Sequence, residues 1–558
     1  AVTMQAQRTI KDILRKDCFI GGMSAILEDT KSLVNQEMPV YILCAVGACL
    51  VVLFLSMKET VVPLIFMLGM VFPIVYNFGT NIFLGQISYI TEALATVLQL
   101  GVTMDFSIFL LHRFEEEKRF CPDEDEAMVR AVQKTFSSIL ASSLTTIAGF
   151  LAMCTMRLTL GRDIGIVMAK GVLLGVVSTV TILPALILTF RRSIARHTHR
   201  TFIPKLRRTS RFVVRRYIPI LAVFVFCFIP FSVAQAKTPV YYTLFDSLPQ
   251  DLAGIQGTSR LKEDFGMTTS HFIIVDDGLP ARDMEALTDE IEQVDGIRQV
   301  LSYEKFLGGG VPREVLPTEV RQIFCAGGHE MLLANSSYES GTEAQNAQLD
   351  ALNAIVKRYD PNGVITGEGA MTKDLIEVAD VDFRSVSIAS IAAVFLIIAI
   401  SFRSASIPVL LVAAIESAIM INMGIPYFTG TTLPFVASIV IGTIQLGATV
   451  DYAILMTTRF REELNAGRST KDAVQTAVEQ CSQSILTSGL TFFAATFSVS
   501  LASRMELISS LCRLISRGAL ISMLVILLVL PALLILTAPL IRKTTYHWLS
   551  KEKETKTV

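Results

Sequence analysis

Long apolar runs separated by short polar segments dominate this chain. Runs long enough to cross hydrocarbon, about 20 residues at about 1.5 Å each, lie near 38–57, 61–80, 87–113, 134–156 and 163–190. One more lies at 217–236, and five follow near 385–402, 406–424, 433–460, 481–503 and 510–540. This five-one-five pattern predicts a polytopic α-helical membrane protein with about eleven transmembrane helices.

The two groups of five runs are copies of one another. The segment QLGVTMDFSIFLLHRFEEE at 99–117 matches QLGATVDYAILMTTRFREE at 445–463, with ten of nineteen positions identical at an offset of 346. GMSAILED at 22–29 aligns with GEGAMTKD at 367–374, at an offset of 345. The chain therefore contains an internal repeat, and 38–190 and 385–540 are predicted to form two five-helix membrane halves.

The segment between the halves has a different pattern. Strand-like SHFIIV at 270–275, RQVLSY at 298–303, HEMLLANSSY at 329–338 and GVITG at 363–367 alternate with amphipathic helices at 281–294 and 343–359. The order βαββαβ is that of the ferredoxin-like unit. We read 305–328, which is rich in glycine and proline, as a loop with a short helix. A ferredoxin-like α+β domain is therefore predicted within 237–384.

Charge distribution orients these segments. Ten Lys or Arg and no acid lie within 191–216, between two apolar runs. The positive-inside rule places this loop in the cytoplasm, so 237–384 and 1–37 are expected outside it and 541–558 is expected to be a cytoplasmic tail. A basic patch also suits nucleic acid, but its place between apolar spans favours a membrane role and no nucleic-acid partner.

The composition agrees with a multi-pass protein of the cell membrane. Hydrophobic residues make up 52% of the chain and charged residues only 18%, whereas soluble chains carry about 25% charged residues. A chain that starts outside the cytoplasm should follow a signal or a membrane helix, and AVTMQAQRTIKDILRKD at 1–17 resembles neither. We expect the natural protein to be longer, with 1–37 the end of a first external domain and with twelve helices in all.

Two aspartates lie deep inside apolar helices, one in each copy of the repeated motif. A carboxylate in hydrocarbon is costly and marks a functional site by default, so Asp105 and Asp451 are candidate proton-binding residues. Gly101 and Gly447 precede them by four residues, on the same helical face. Small residues there permit close helix packing, so we expect the two motif helices to pack together and to bring the carboxylates into one central site.

The following helix in each half carries a polar stripe. Ser138, Ser142 and Thr145 recur as Ser484, Ser488 and Thr491, again at an offset of 346. Their spacing places them on one helical face, at a depth similar to that of the aspartates. Ser142, Thr145, Ser488 and Thr491 are therefore predicted to hydrogen-bond the carboxylates. The alternative is that these hydroxyls bond carbonyls of their own helices.

Other polar residues receive separate predictions. Tyr452 follows Asp451 and can donate to a carboxylate, whereas Phe106 follows Asp105 and cannot, which favours Asp451 as the stronger site. Glu416 lies at a similar depth, so it is a further relay candidate with a structural role as the alternative. Lys170 and Arg517 match one another near the outer helix ends, and we expect them to extend to the membrane interface.

These features resemble the resistance-nodulation-division superfamily. The five-one-five helices, the ferredoxin-like external domain and the GxxxD[FY] motif at 101–106 and 447–452 are most similar to the mycobacterial membrane protein large (MMPL) group of lipid and hydrophobe exporters. The resemblance implies proton-driven export, with the aspartates and Tyr452 in the proton relay. Phe106 departs from that pattern, so the resemblance implies unequal sites in the two halves.

The sequence hypothesis is thus a secondary transporter rather than an enzyme. No Walker loop, metal cluster or nucleophile-base pair is recognisable in the sequence, so the expected energy source is a proton gradient and no cofactor is expected. The expected partners are hydrophobic or amphiphilic small molecules or lipids, membrane lipids and a possible second copy of the chain. Two alternatives remain: a lipid-binding sensor or scaffold of the sterol-sensing type, and a membrane component that assists protein secretion.

Overall fold

The chain forms two compact units in a computed structural model. It describes residues 20–199, 201–202, 206–243, 248–303, 305 and 324–546, together with 6, 9, 10, 12 and 13. One unit combines Ala1–Leu33 with Tyr241–Asp380, and the other combines Val34–Val240 with Val381–Val558. Among the described residues, eleven helices are long and apolar enough to cross a membrane. The predicted fold class, a polytopic helical membrane protein with a small α+β unit, is confirmed.

The first half of the membrane unit is a run of helices with short connections. These are α1 (Met23–Ser56), α2 (Val62–Gly79), α3 (Tyr89–Glu117), α4 (Glu124–Ala152), α5 (Thr159–Thr189), α6 (Arg191–Arg196), α7 (Arg207–Arg215) and α8 (Tyr217–Gln235). Side-chain caps define where the central helices begin: the Ser88 hydroxyl accepts from Ile90 N before α3, and the Asp123 carboxylate accepts from Asp125 N before α4. Such caps satisfy amide groups that the first helical turn leaves unpaired.

The unit that contains Tyr241–Asp380 is here called the external unit, because the sequence analysis expects it outside the cytoplasm, and it has the predicted split βαββαβ topology. The short strand β1 (Val240–Tyr241) precedes it at the boundary between the two units. The elements of the external unit are α9 (Ala253–Phe265), β2 (Thr269–Asp276), α10 (Ala281–Glu292), β3 (Ile297–Leu301), β4 (Cys325–Ala326), β5 (His329–Ser336), α11 (Glu343–Tyr359) and β6 (Val364–Gly367). The strand order in the sheet is β3-β5-β2-β6, and the pairs along it are antiparallel. This order confirms the ferredoxin-like prediction. Residues 306–323 of the predicted loop with a short helix lie outside the described residues.

Alternation along the strands explains how this sheet buries one face. Ile273 and Val275 of β2 point to the same side as Leu332 of β5, because side chains two apart share a face. They pack against Leu287 of α10 and Leu352 of α11, and all five side chains are buried. The two helices therefore cover one face of the sheet and form a small hydrophobic core with it.

The second half of the membrane unit repeats the first. Its elements are α12 (Glu368–Phe402), α13 (Ser406–Thr429), β7 (Leu433–Pro434), α14 (Phe435–Asn465), α15 (Thr470–Ala502), α16 (Glu506–Leu524) and α17 (Leu530–Thr544). A π-helical turn at Val525–Val529 joins α16 to α17, so the two form one interrupted membrane span. Nearly all of α3 and α14 is buried, whereas α8 is mostly exposed. The two motif helices therefore lie at the centre of the membrane unit.

Several helices are longer than the apolar runs that predicted them. The run at 38–57 belongs to α1, which begins at Met23, and the run at 385–402 belongs to α12, which begins at Glu368. Hydropathy marks only the part of a helix that suits hydrocarbon, while backbone hydrogen bonding continues through polar sequence. Because α12 begins directly after β6, one helix runs from the last strand of the external sheet into the membrane unit.

Candidate functional site

Four helices enclose a small cavity at the centre of the membrane unit. Helices α3 and α4 come from the first half, and α14 and α15 come from the second. The cavity has a volume of about 50 Å³, and its polar lining consists of Asp105, Ser138, Ser142, Asp451, Tyr452, Thr458, Ser484 and Ser488. A space of this size accommodates a few water molecules when polar groups line it. The structure thus brings both predicted aspartates into one site between the halves.

Asp451 of α14 is held by α4 of the opposite half. The Thr146 hydroxyl lies 3.5 Å from both carboxylate oxygens of Asp451, and it donates to the Gly447 carbonyl at 2.9 Å. The Ser142 hydroxyl also interacts with the Asp451 carboxylate, and both side chains line the cavity. A hydroxyl has one proton but two acceptor positions. When Thr146 donates to Gly447, its oxygen remains able to accept a proton from a protonated Asp451.

Asp105 of α3 is paired with residues of the second half instead. Ser488 of α15 donates to the Tyr452 hydroxyl at 2.8 Å, and both hydroxyls interact with the Asp105 carboxyl. The Oδ1 atom of Asp105 is buried without a hydrogen-bond partner among the described residues. Tyr452 therefore has its hydroxyl proton available for Asp105, so the inference that it strengthens its sequence neighbour Asp451 is corrected by the structure.

The predicted polar stripe divides into two groups. Ser142 and Ser488 line the cavity and interact with the carboxyl groups. The Thr146 hydroxyl, which the sequence reasoning missed, also approaches Asp451 but is not part of the cavity lining. Thr145 donates instead to the Ser142 carbonyl at 2.6 Å, and Thr491 donates to the Thr487 carbonyl at 2.7 Å. For Thr145 and Thr491 the structure supports the alternative reading, in which a hydroxyl bonds its own helix.

Thr146 escaped the sequence reasoning because the repeat does not preserve it. At the same offset of 346, the second half has Phe492, so the threonine forms no matched pair. A helical wheel of α4 would have identified Thr146 as a candidate, because it follows Ser142 by four residues and lies on the same helical face.

The two glycines lie at close helix contacts, but not with one another. A Cβ atom on Gly101 would lie 2.3 Å from Cδ2 of Phe492 on α15, and Gly447 faces the backbone of Thr146 and Gly149 on α4. Each motif helix thus packs at its glycine against the polar helix of the opposite half. The expected direct packing of α3 on α14 at these glycines is corrected, because the four helices alternate around the cavity.

Glu416 lies apart from the cavity. It belongs to α13, and none of the cavity-lining residues comes from that helix. Glu416 and Asp451 lie at similar distances from the cytoplasmic ends of their helices. That distance does not say which neighbouring helices a side chain faces. The structure therefore does not place Glu416 with the other relay candidates.

A second pair of polar clusters lies about 9 Å along the motif helices from the aspartates, by helical rise. Asn422 donates to Gln445 Oε1 at 2.9 Å, and Arg517 donates to Asn422 Oδ1 at 2.8 Å. In the first half, Asn77 donates to Gln99 Oε1 at 2.8 Å, and Lys170 Nζ donates to the Asn77 carbonyl at 3.0 Å. Arg517 thus bonds to the neighbouring helix α13, which differs from the expectation that it extends to the interface. Lys170 also donates to Asn81 Oδ1 at 2.6 Å, just beyond the end of α2, in agreement with an extension toward the helix ends.

A larger vestibule opens below the central cavity, on the side that the basic loop assigns to the cytoplasm. Its volume is about 360 Å³, and it shares Phe109, Ser138, Leu455, Thr458 and Ser484 with the lining of the central cavity. An ion pair at 3.7 Å between Arg459 and Glu116 joins α14 to α3 in its wall. These shared residues form the boundary between the vestibule and the aspartates. No cluster of His, Cys, Asp and Glu suited to a metal ion was found among the residues with described positions.

Comparisons with known proteins agree with this architecture. The profile of the MMPL family matches residues 4–220 and 249–555. A putative membrane protein, ActII-3 of Streptomyces coelicolor, is 26% identical over 389 residues, which cover 67% of this chain and 52% of that protein. The mycolic acid-containing lipids exporter MmpL11 of Mycolicibacterium smegmatis is 24% identical, over 29% of this chain and 16% of that protein. This chain therefore spans about half of the first relative and less of the second.

A solved structure is similar over most of the chain. It is SecDF, a translocon-associated membrane protein from Thermus thermophilus, with a TM-score of 0.59 and 14% identity. The similarity covers 90% of this chain and 62% of SecDF. At that identity the likeness shows the fold alone. Because the family profile matches nearly all of its length, this multi-pass protein of the cell membrane belongs to the MMPL family.

Proposed function

We propose that this chain is the membrane part of an exporter that uses the proton gradient to move lipids or other hydrophobic or amphiphilic compounds across the cytoplasmic membrane. The observation that carries the proposal is the shared cavity, in which one carboxyl group from each half meets hydroxyl groups of the other half. The relative MmpL11 exports mycolic acid-containing lipids, which supports this class of cargo.

Protonation of these carboxyl groups changes the attraction between the halves. A charged carboxylate buried in a low-dielectric bundle carries an electrostatic cost of several kcal/mol unless donors compensate it. At Asp451 the hydroxyl groups able to turn their protons toward the charge, those of Ser142 and Thr146, belong to the opposite half. A proton on Asp451 removes the charge and turns the carboxyl group into a donor toward Thr146. The contact between α14 and α4 therefore differs between the two protonation states.

A change of this size is sufficient to shift a conformational equilibrium. About 5.5 kcal/mol moves a two-state equilibrium from 1:99 to 99:1, and a smaller difference moves it part of the way. Two carboxyl groups in one cavity supply two such contributions, one for each half. In this mechanism, binding and release of protons shift the halves relative to one another, and that movement drives the export cycle.

The vestibule provides the cytoplasmic end of the proton route. Ser138 and Ser484 line both the vestibule and the central cavity, and their hydroxyl groups belong to the two polar helices. Hydroxyl groups and ordered water relay protons over short hydrogen-bonded distances. Phe109 and Leu455 are apolar residues at the same boundary, so they limit the free passage of water between the spaces.

The test is a transport assay on the purified chain in proteoliposomes. The liposomes contain trapped pyranine, which reports internal pH, and a phospholipid with a nitrobenzoxadiazole label that dithionite quenches only from outside. We expect an imposed pH gradient to move protons and to change the accessible fraction of labelled lipid. Asp451→Asn cannot gain or lose a proton at this site, so both signals should fall to the level of empty liposomes.

Glu416→Gln is the matched control, because it neutralises a carboxylate of the membrane unit that lies away from the cavity. It should retain both signals. Gradient-driven lipid movement by Asp451→Asn would refute the proposal. Equal lipid movement with and without a gradient would instead favour a passive lipid-binding protein.

A further inference from the structure

A buried carboxylate on α12 accepts hydrogen bonds from the backbone of the turn that follows α4. Asp382 is only 1% exposed, and its oxygens accept from Arg157 N at 2.9 and 3.1 Å and from Leu158 N at 3.1 Å. Hydrogen bonds to a charged acceptor are about twice as strong as neutral ones. These bonds, here called the Asp382 clamp, join a helix of the second half to the outer end of a helix of the first half.

The other half contains a related contact. Glu37 of α1 accepts from Arg504 N at 3.3 Å and from the Tyr41 hydroxyl, which also lies 2.8 Å from the Ser503 hydroxyl. Glu37 is 8% exposed and Tyr41 is fully buried. These bonds, here called the Glu37 clamp, join α1 of the first half to the turn that follows α15 of the second.

The two clamps occupy equivalent positions of the repeat. Glu37 and Asp382 are 345 residues apart, and Arg157 and Arg504 are 347 apart. The acidic side chain is a glutamate, Glu37, in the first half and the shorter aspartate, Asp382, in the second, and the individual hydrogen bonds differ as well. What the repeat preserves is an acid on the first helix of one half that accepts from the backbone at the outer end of the fourth span of the other half.

Helices α4 and α15, which precede the two clamped turns, also contact the aspartates of the cavity. Helix α4 reaches the second half at two levels, through Thr146 at Asp451 and through the turn after Ala152 at Asp382. Helix α15 reaches the first half through Ser488 at Asp105 and through Arg504 at Glu37. About 9 Å of helix separates Thr146 from Ala152. A displacement at Asp451 therefore reaches the Asp382 clamp along α4 and the 3₁₀ turn Met153–Thr155 that follows it.

We propose that Asp382 and Glu37 are positioning residues that transmit movement from the proton-binding cavity to α12 and α1. This inference rests on the proposed function of the cavity. Helix α12 begins at Glu368, directly after the last strand of the external unit, and α1 begins at Met23 within the chain segment assigned to that unit. Each clamp thus couples a proton-binding carboxyl group to the helix through which the external unit is connected.

The test is a double-mutant cycle on the full chain in lipid nanodiscs, read by hydrogen exchange and mass spectrometry. Asp451→Asn serves as a permanently neutral form of the cavity. Coupling between distant sites changes an equilibrium by about 5-fold to 150-fold, so we expect this substitution to change exchange in the outer turns of α12 by at least about 5-fold. In the background of Asp382→Asn, the same substitution should change exchange there by less than about 2-fold.

Asp380→Asn is the matched control, because Asp380 precedes Asp382 on α12 and its side chain is exposed. It should leave the effect of Asp451→Asn intact. A purely structural role of Asp382 predicts additive effects, and additivity would overturn the proposal. The proposal would also be overturned if Asp451→Asn altered hydrogen exchange in α4 but not in α12, because the change would then not pass the Asp382 clamp.

The two proposals fail in different ways. If Asp451→Asn alters exchange neither in α4 nor in α12 and leaves lipid movement intact, the proposed function itself is wrong. If Asp382→Asn does not fold, the equivalent cycle uses Glu37→Gln with Asp105→Asn, read in the outer turns of α1. The same loss of coupling is expected there, and additive effects in that cycle would overturn the inference.

Discussion

Replacement of Gly101 by alanine tests the packing that places Asp105 in the cavity. A Cβ atom at this position would lie 2.3 Å from Cδ2 and 3.0 Å from Cε2 of Phe492. Carbon atoms in good contact lie about 3.5–4.0 Å apart, so the ring or the helix must move by about 1 Å. Phe492 is only 2% exposed, so movement of its ring displaces buried neighbours. Overpacking of this kind costs about 1–3 kcal/mol.

Gly447 provides the matched comparison in the second half. A Cβ atom there would meet Thr146 O at 3.6 Å and Thr146 Cα at 3.8 Å, which are ordinary contacts. Both substitutions gain about 0.5–1 kcal/mol of helix propensity. The propensity gain cancels in the comparison, so Gly101→Ala should be less stable than Gly447→Ala by about 1–3 kcal/mol.

The assay is the midpoint of thermal unfolding in one detergent at one heating rate, because membrane proteins often unfold irreversibly. Gly101→Ala should melt below the unmodified protein or near it, and Gly447→Ala should melt at or above it. A second arm repeats Gly101→Ala in the background of Phe492→Ala, where the clash is absent and the substitution should become neutral or stabilising. Equal melting of the two single variants, or the same cost in both backgrounds, would refute the packing argument.

Two further predictions concern hydroxyl and imidazole groups. Thr146→Val removes the hydroxyl that bonds Gly447 and approaches Asp451, so gradient-driven lipid movement should fall, whereas Thr145→Val removes a bond within one helix and should leave the rate nearly unchanged. Burial lowers the pKa of His271 in the external sheet below its ordinary value. As the pH falls below about 6.5, His271 binds a proton in the unfolded unit before it does so in the folded unit. The free energy of unfolding is therefore highest above about pH 6.5 and declines as the pH falls below it. His271→Gln should remove this acid sensitivity of hydrogen exchange in β2 and β5, and His329→Gln, an exposed position on the same sheet, should retain it.

The repeat explains why much of the site was predictable from the sequence. Asp105 and Asp451 are conspicuous because a carboxylate in an apolar helix is costly, and the matched offset identifies both at once. The same offset found Ser142 and Ser488, which do line the cavity. It also suggested Thr145 and Thr491, whose hydroxyls bond their own helices. Periodicity gives the face of a helix within about one residue, but it does not choose between adjacent side chains near the edge of that face.

The sequence by itself determined the membrane class, the duplicated halves, the succession of strands and helices along the α+β unit and the pair of buried acids. These depend on local pattern, since hydropathy, the two-residue period of strands and an internal repeat are all properties of the chain. Only the tertiary structure decided which hydroxyl groups contact which aspartate. Tyr452 follows Asp451 in sequence yet interacts with Asp105, and Thr146 of the first half contacts Asp451 of the second. Neighbours on a helix differ by about 100° in direction, so partners across a bundle follow from helix packing rather than from adjacency in the chain.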